Sequence, residues 1–267
     1  MIETLWVRCT DGVMSGARCN VSVPQDRGDD LPVIFVHGVG STAAIWDYQL
    51  NELTDYRCYA IELRGNGAHS PPPDPAVITR EGFASDVLAI ADAVRAERFH
   101  FVGCSLGGVV GFELWKRAPE RIASYTIVGS FAKYPNSQAY VAGIESAVRA
   151  AGSMDAFAQQ RAAKLGLPPQ RLTETLEQMG CKPVPSYLAS THATWTGDYR
   201  VVLSTITAPT LVICGEHDTI APLPLSQEIA GAIPAARLEI LSNAGHVANA
   251  DNPAAFNRLL LAFLGRP

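Results

Sequence analysis

From residue 33 onward, short apolar runs bounded by turn residues alternate with longer segments whose apolar side chains recur every three or four positions. The runs span 33–37, 58–63, 99–104, 124–129, 210–215 and 237–241, and each has the length of a buried strand. The segments at about 43–53, 80–96, 106–117, 223–232 and 254–264 carry the helical period. Thr79 stands where an N-cap hydroxyl would take an orphan N–H, and Pro119 marks the end of the third helix. Strands joined through helices make a mainly parallel sheet with helices on both faces. Two earlier runs, 4–9 and 17–23, flank the turn signal Asp11-Gly12 and predict an antiparallel start, for eight strands in all.

The alternation is interrupted once. Between Phe131 and Ser204 the strand signal vanishes, and Val141, Ile144 and Val148 fall on one helical face; prolines at 168–169 and 183–185 break the segment. The expected organisation is an α/β core of residues 1–130 and 205–267 with a helical cap, 131–204, inserted over the C-terminal edge of the sheet. That edge is where open α/β sheets bind ligands.

Composition narrows the class. Hydrophobic residues make up 48% of the 267, charged residues 18%, and the net charge is −5 with no long block of one sign. This suits a globular chain with a large core and argues against nucleic acid or an anionic membrane as partner. The start, MIETLWVRCTDG, lacks a basic region followed by an apolar one, and no apolar run nears the roughly 20 residues of a membrane span. The six cysteines form no C-x-x-C pair and the six histidines no H-x-x-x-H pair. A reduced, cytoplasmic protein without metal or organic cofactor is expected.

Two glycine turns carry the chemical signal. In VIFVHGVGSTAA, Gly38, Gly40 and Ala43 match G-x-G-x-x-A, with Glu62 near where a ribose-binding acid would stand. The same loop could serve as one wall of an oxyanion hole, since both tasks need exposed backbone N–H groups. The second turn decides between them. Gly103-Cys104-Ser105-Leu106-Gly107 is G-x-S-x-G between an apolar strand and a helix. A serine on so sharp a turn is pushed out of the sheet, and the close packing demands glycine on either side. Serine needs a base, and the base needs a carboxylate to fix its tautomer. Asp218 follows the run 210–215, and His246 follows 237–241. The order Ser, Asp, His and the strand-end placement predict Ser105 as nucleophile, His246 as base and Asp218 as its partner. Val39 and Leu106 would then supply the oxyanion N–H groups.

The blocks VHGVGSTAAIW, ELRGNGAHSPPP, GCSLGG, APTLVICGEHDTIAP and GHVANADNPAAFN resemble the successive signatures of the α/β-hydrolase superfamily. Within it the chain is most similar to bacterial hydrolases of aromatic catabolism, the 3-oxoadipate enol-lactonases above all. Related deformylases and ring-fission C–C hydrolases share most of the blocks. One departure is Asn66, where the family often has histidine at a loop-shaping position. The resemblance implies an α/β-hydrolase fold and a serine hydrolase acting on an ester or enol-lactone by an acyl-enzyme route. The alternatives are C–C or amide hydrolysis, or a non-catalytic small-molecule receptor on the same fold.

The predicted cap holds seven basic residues (Lys133, Arg149, Arg161, Lys164, Arg171, Lys182, Arg200) and five acidic ones, a net +2 in a chain of −5. A basic lid favours a carboxylate-bearing substrate. Arg149 is the expected anion contact, with Trp46, Trp195 and Tyr187 as apolar pocket walls.

Overall fold

Strands buried on both faces need an apolar residue at nearly every position, and the central strands have one. A computed structural model describes residues 2–20, 31–67, 74–165, 167, 169–234 and 236–265. Its sheet contains β1 (Ile2–Arg8), β2 (Met14–Asn20), β3 (Val33–Val36), β4 (Cys58–Glu62), β5 (Phe99–Cys104), β6 (Ile122–Val128), β7 (Thr210–Gly215) and β8 (Arg237–Leu241). Their order is β1-β2-β4-β3-β5-β6-β7-β8, antiparallel from β1 through β2 to β4 and parallel from β4 to β8. Val36 pairs with Gly103, Gly103 with Ile127, and Val128 with Ile213. This register sets the C-terminal ends of β3, β5, β6 and β7 at one level.

The helices are α1 (Asp47–Glu52), α2 (Arg80–Ala93), α3 (Leu106–Arg117), α4 (Ser137–Ala151), α5 (Met154–Leu165), α6 (Pro169–Gly180), α7 (Val184–Trp195), α8 (Arg200–Leu203), α9 (Leu223–Ala232), α10 (Ala248–Asp251) and α11 (Pro253–Leu264). Alternate strand residues feed two cores. Ile34, Val36 and Phe101 pack with Phe83, Val87 and Ile90 of α2 and with Val109 and Phe112 of α3. Val33, Phe35, Val102 and Ile213 pack on the other face with Trp46, Leu50 of α1, and Phe256 and Leu260 of α11. The Thr79 hydroxyl accepts the Gly82 N–H at 3.0 Å, capping α2.

Helices α4 to α8 all fall between β6 and β7. The chain leaves and returns at adjoining points: Tyr199 N–H donates to Ala132 O at 2.8 Å, and Lys133 bridges Asp198. None of the described helices is long and apolar enough to cross a membrane.

Several boundaries differ from expectation. The second strand begins at Met14 because Gly12 N–H closes on Cys9 O at 2.9 Å, so pairing resumes at once between Arg8 and Met14. The segment expected as one helix from residue 43 opens as a 3-10 turn, Ala43–Trp46, before α1. The end of the second expected strand (21–23), the polar loop 24–30, residues 68–73, Pro168 and the Lys164 side chain lie outside the described residues.

Candidate active site

β5 ends at Cys104 and α3 begins at Leu106, so Ser105 alone reverses the chain. It does so at φ 54° and ψ −112°, a region that costs a residue with a Cβ about 1–3 kcal/mol. The turn is held from β6: Ser105 N–H donates to Val128 O at 2.9 Å, and the Ser130 hydroxyl to Ser105 O at 2.8 Å. A Cβ on Gly107 would lie 2.2 Å from Val36 O, and one on Gly103 would lie 2.5 Å from Gly107 O, so both flanks must be glycine. Ser105 stands at the N-cap of α3 without capping it. Its Oγ is buried and has no hydrogen-bond partner among the described residues.

The loop after β3 passes beside this hydroxyl: a Cβ on Gly38 would lie 3.2 Å from Ser105 Cβ and 3.8 Å from Oγ. Among the described residues, neither the Val39 nor the Leu106 N–H donates to a protein group. His37 fixes the turn. Its Nδ1–H donates to Gly38 O at 2.8 Å, and Nε2 accepts the Leu63 N–H at 3.3 Å, partners that assign the tautomer. Glu62, the possible ribose acid, is engaged with the loop itself. Its Oε2 accepts the Ala43 N–H at 3.2 Å, and its Oε1 lies 3.3 Å from His37 Nε2.

Asp218 and His246 meet at the ends of β7 and β8. His246 Nδ1 lies 2.9 Å from Asp218 Oδ2 and 3.1 Å from Oδ1. Oδ1 also accepts the N–H groups of Ile220 and Ala221, both at 2.9 Å. The floor beneath the pair is Gly129, at φ 49°, where a Cβ would lie 3.1 Å from Asp218 Oδ2 and 3.3 Å from His246 Nδ1. Gly129 follows the residue whose carbonyl holds Ser105, so the three side chains share one edge of the sheet. His246 O sits 3.9 Å from Cys104 Sγ. Burial first, and then the charge of Asp218, push the Cys104 thiol well above its ordinary range, which keeps it protonated and unreactive.

A cleft of about 490 Å³ opens above His246 and Val39, closed on its far side by Arg161, Arg171, Gln178 and Met179 of the helical insertion. Ser105, itself buried, is not among the residues that line it. The expected substrate contacts fall elsewhere. Trp46 is fully buried behind the sheet, 5.0 Å from the Phe35 ring and 6.2 Å from that of Phe256, so it is core. Arg149 is three-quarters exposed on α4, 3.6 Å from Glu145, and does not line the cleft. Trp195 is buried in an aromatic cluster at the base of the insertion, stacked on Phe131 at 4.8 Å. Tyr187, also buried, comes within 3.8 Å of a Cβ placed on Gly40.

Of the two arginines on the cleft, Arg171 is paired with Glu174 and Asp251. Arg161 has no carboxylate partner among the described residues. The spacing of the sequence singled out neither Gln178 nor Lys182, because both act across the fold: Gln178 Oε1 accepts the Thr42 N–H at 3.1 Å, and Lys182 Nζ donates to Ser41 O at 2.7 Å. No group of three or more metal-ligating side chains is gathered among the described residues.

Residues 32–253 match the family described as alpha/beta hydrolase fold. The chain belongs to that family. This hydrolase is 32% identical over 248 residues to the putative carbamate hydrolase RutD of Variovorax paradoxus, a match covering 89% of this chain and 93% of the relative. It is 28% identical to 3-oxoadipate enol-lactonase 2 of Acinetobacter baylyi, over 90% of this chain and 91% of that one. The crystal structure of the enol-lactonase from Burkholderia xenovorans superposes with a TM-score of 0.84 at 27% identity, covering 97% of this chain and 99% of that one.

Proposed function

We propose that this hydrolase cleaves an ester or enol-lactone bond in a small, carboxylate-bearing molecule through a Ser105 acyl-enzyme, with residues 131–204 as its cap. The observation that carries the reading is the Ser105 hydroxyl: strained out of the sheet, without a hydrogen-bond partner among the described residues, and on the same edge as the Asp218–His246 pair. Asp218 receives the Nδ1–H of His246, which leaves Nε2 as the basic nitrogen. In the proposed reaction Ser105 Oγ attacks the carbonyl carbon as His246 takes its proton. The C–O double bond opens to an oxyanion received by the Val39 and Leu106 N–H groups. His246 then protonates the leaving oxygen as the carbon–oxygen bond breaks. Water, deprotonated by the same imidazole, repeats the attack and frees Ser105. The base–nucleophile hydrogen bond characteristically tightens when substrate occupies such a site.

The anionic character of the substrate is supported by Arg161 rather than by Arg149. A cation on the cleft wall with no carboxylate partner among the described residues is available to a substrate carboxylate. The enol-lactonase relatives favour this class. The carbamate hydrolase relatives favour a second reading, cleavage of a carbamate by the same serine attack on a carbonyl. All six cysteines are free, which supports a reducing, cytoplasmic setting. The test is a fluorophosphonate probe followed by a panel of enol-lactones, simple esters and carbamates. Labelling at Ser105, and turnover abolished by Ser105→Ala in a folded protein, are expected. Turnover persisting in that variant would overturn the assignment, and fastest turnover of carbamates would select the second reading.

A further inference from the structure

Lys182 is a buried lysine at the α6–α7 junction, 3% exposed. An ammonium group taken out of water needs an acceptor for each N–H. Lys182 Nζ has three: Ser41 O at 2.7 Å, Asn66 O at 2.9 Å and Asn66 Oδ1 at 3.2 Å. The first lies in the loop after β3, two residues beyond Val39. The other two lie in the loop after β4. One side chain of the insertion thus ties together two loops of the core.

The β3 loop is gripped elsewhere too. From the core, Glu62 takes the Ala43 N–H. From the insertion, Gln178 takes the Thr42 N–H, and the Met179 methyl presses on Gly40, where a Cβ would lie only 2.7 Å from it. Two consecutive peptide units, 41–42 and 42–43, are therefore held by three named side chains. Lys182 is the only one of the three holders that donates, the only cation, and the one most completely removed from water.

We propose that Lys182 is a positioning residue: it fixes the loop that offers the Val39 N–H, and so couples the seating of the helical insertion to the oxyanion site. This rests on the serine-hydrolase reading above. An oxyanion donor works only if preorganised, and a shift of about 1 Å in a catalytic geometry can cost about 100-fold in rate. The grip acts on the developing charge, so it belongs in kcat rather than in ground-state binding.

The coupling has a pH signature. Burial lowers the Lys182 pKa to about 8; the charge of Glu62 opposes the shift, with a smaller opposing contribution from Cys181. Glu62 faces the lysine from the end of β4 and also touches His37. Burial works against its carboxylate, but the His37 contact, the charge of Lys182 and the Ala43 N–H together hold its pKa below the ordinary value. Glu62 therefore stays ionised across the window in which Lys182 titrates. Deprotonation removes one of the three N–H donors and the charge behind the other two. The loop is then held less firmly, and turnover falls on the alkaline side.

The test compares wild type with Lys182→Met, using p-nitrophenyl acetate turnover from pH 6 to 10 and the rate of fluorophosphonate labelling at pH 7. The variant keeps the stem and removes the donors. Expected are a kcat about 10- to 100-fold lower, KM within about twofold, slower labelling at Ser105, and loss of an alkaline limb present near pH 8 in wild type. Wild-type kcat and an unchanged limb in the variant would overturn the proposal. If Lys182→Met fails to fold, the wild-type profile decides, and a kcat level to pH 10 overturns it. Absence of labelling at Ser105 in wild type would instead sink the hydrolase assignment, while labelling and turnover unaffected by the substitution would sink the role of Lys182 alone.

Discussion

Asp218 Oδ2 lies 2.9 Å from His246 Nδ1, while Oδ1 of the same carboxylate accepts two backbone N–H groups of the loop that follows it. The aspartate is thus fixed by its own loop and dictates which imidazole nitrogen carries the proton. Asp218→Asn keeps the size but places an amide where an acceptor is needed, and the ring turns to the wrong tautomer. A drop in kcat of about 10²–10⁴-fold is expected, with KM nearly unchanged. Steady-state kinetics checks it; a loss below tenfold would remove Asp218 from the mechanism.

The turn that raises Ser105 has a steric price. Gly107→Ala would put a methyl 2.2 Å from Val36 O, a backbone atom of β3 that cannot rotate away. Either α3 lifts or β3 shifts, and both carry the site. The expected loss is about 1–3 kcal/mol or more of stability, read as a lower denaturation midpoint, together with loss of turnover.

Arg161 and Arg149 separate two accounts of a basic lid. If a carboxylate is read inside the cleft, Arg161→Ala should lower kcat/KM for a carboxylated enol-lactone about 10- to 100-fold and leave a neutral ester nearly unaffected. Arg149→Ala, on the solvent face of α4, should leave both substrates within about twofold. Equal losses on anionic and neutral substrates for Arg161→Ala would remove the anion contact.

Trp46 shows where the sequence was legible and where it was not. Its helical spacing with Leu50 marked it as apolar and inward, and the structure buries it completely. Periodicity cannot say which residue of an element meets the cleft: in the 3-10 turn Ile45 lines it, while Trp46 packs on Phe35 and Phe256. The strand-end placement of Ser105, Asp218 and His246 was legible because the chain order of strands and the G-x-S-x-G turn are local patterns. The cleft wall was not, because Arg161 and Gln178 are brought to it by tertiary packing of the insertion, and Gln178 meets Thr42 across 136 residues of sequence. Net charge over a segment likewise counted Arg149 and Arg171 alike, although one is solvated and the other paired with two carboxylates. Trp46→Ala should therefore cost about 3–5 kcal/mol of stability, measured by denaturant unfolding, with KM unchanged in the folded fraction.

Lys182 also makes a stability prediction of opposite sign to its effect on turnover. Its folded-state pKa, about 8, lies below the ordinary 10.5, so between these values the unfolded chain holds a proton that the folded chain has released. Stability then rises with pH across that window, because the cost of burying the ammonium disappears. Below about pH 8 both states are protonated and the slope vanishes. Lys182→Met, which has no proton to release, should lack this rise. Denaturant midpoints of wild type and variant from pH 7 to 10.5 measure the difference. A gap between them that stays constant with pH would mean that the lysine is not buried as a charged group. A gap that widens in favour of wild type, while wild-type turnover declines over the same range, would show that the fold tolerates a costly cation there because the loop beside Ser105 needs it.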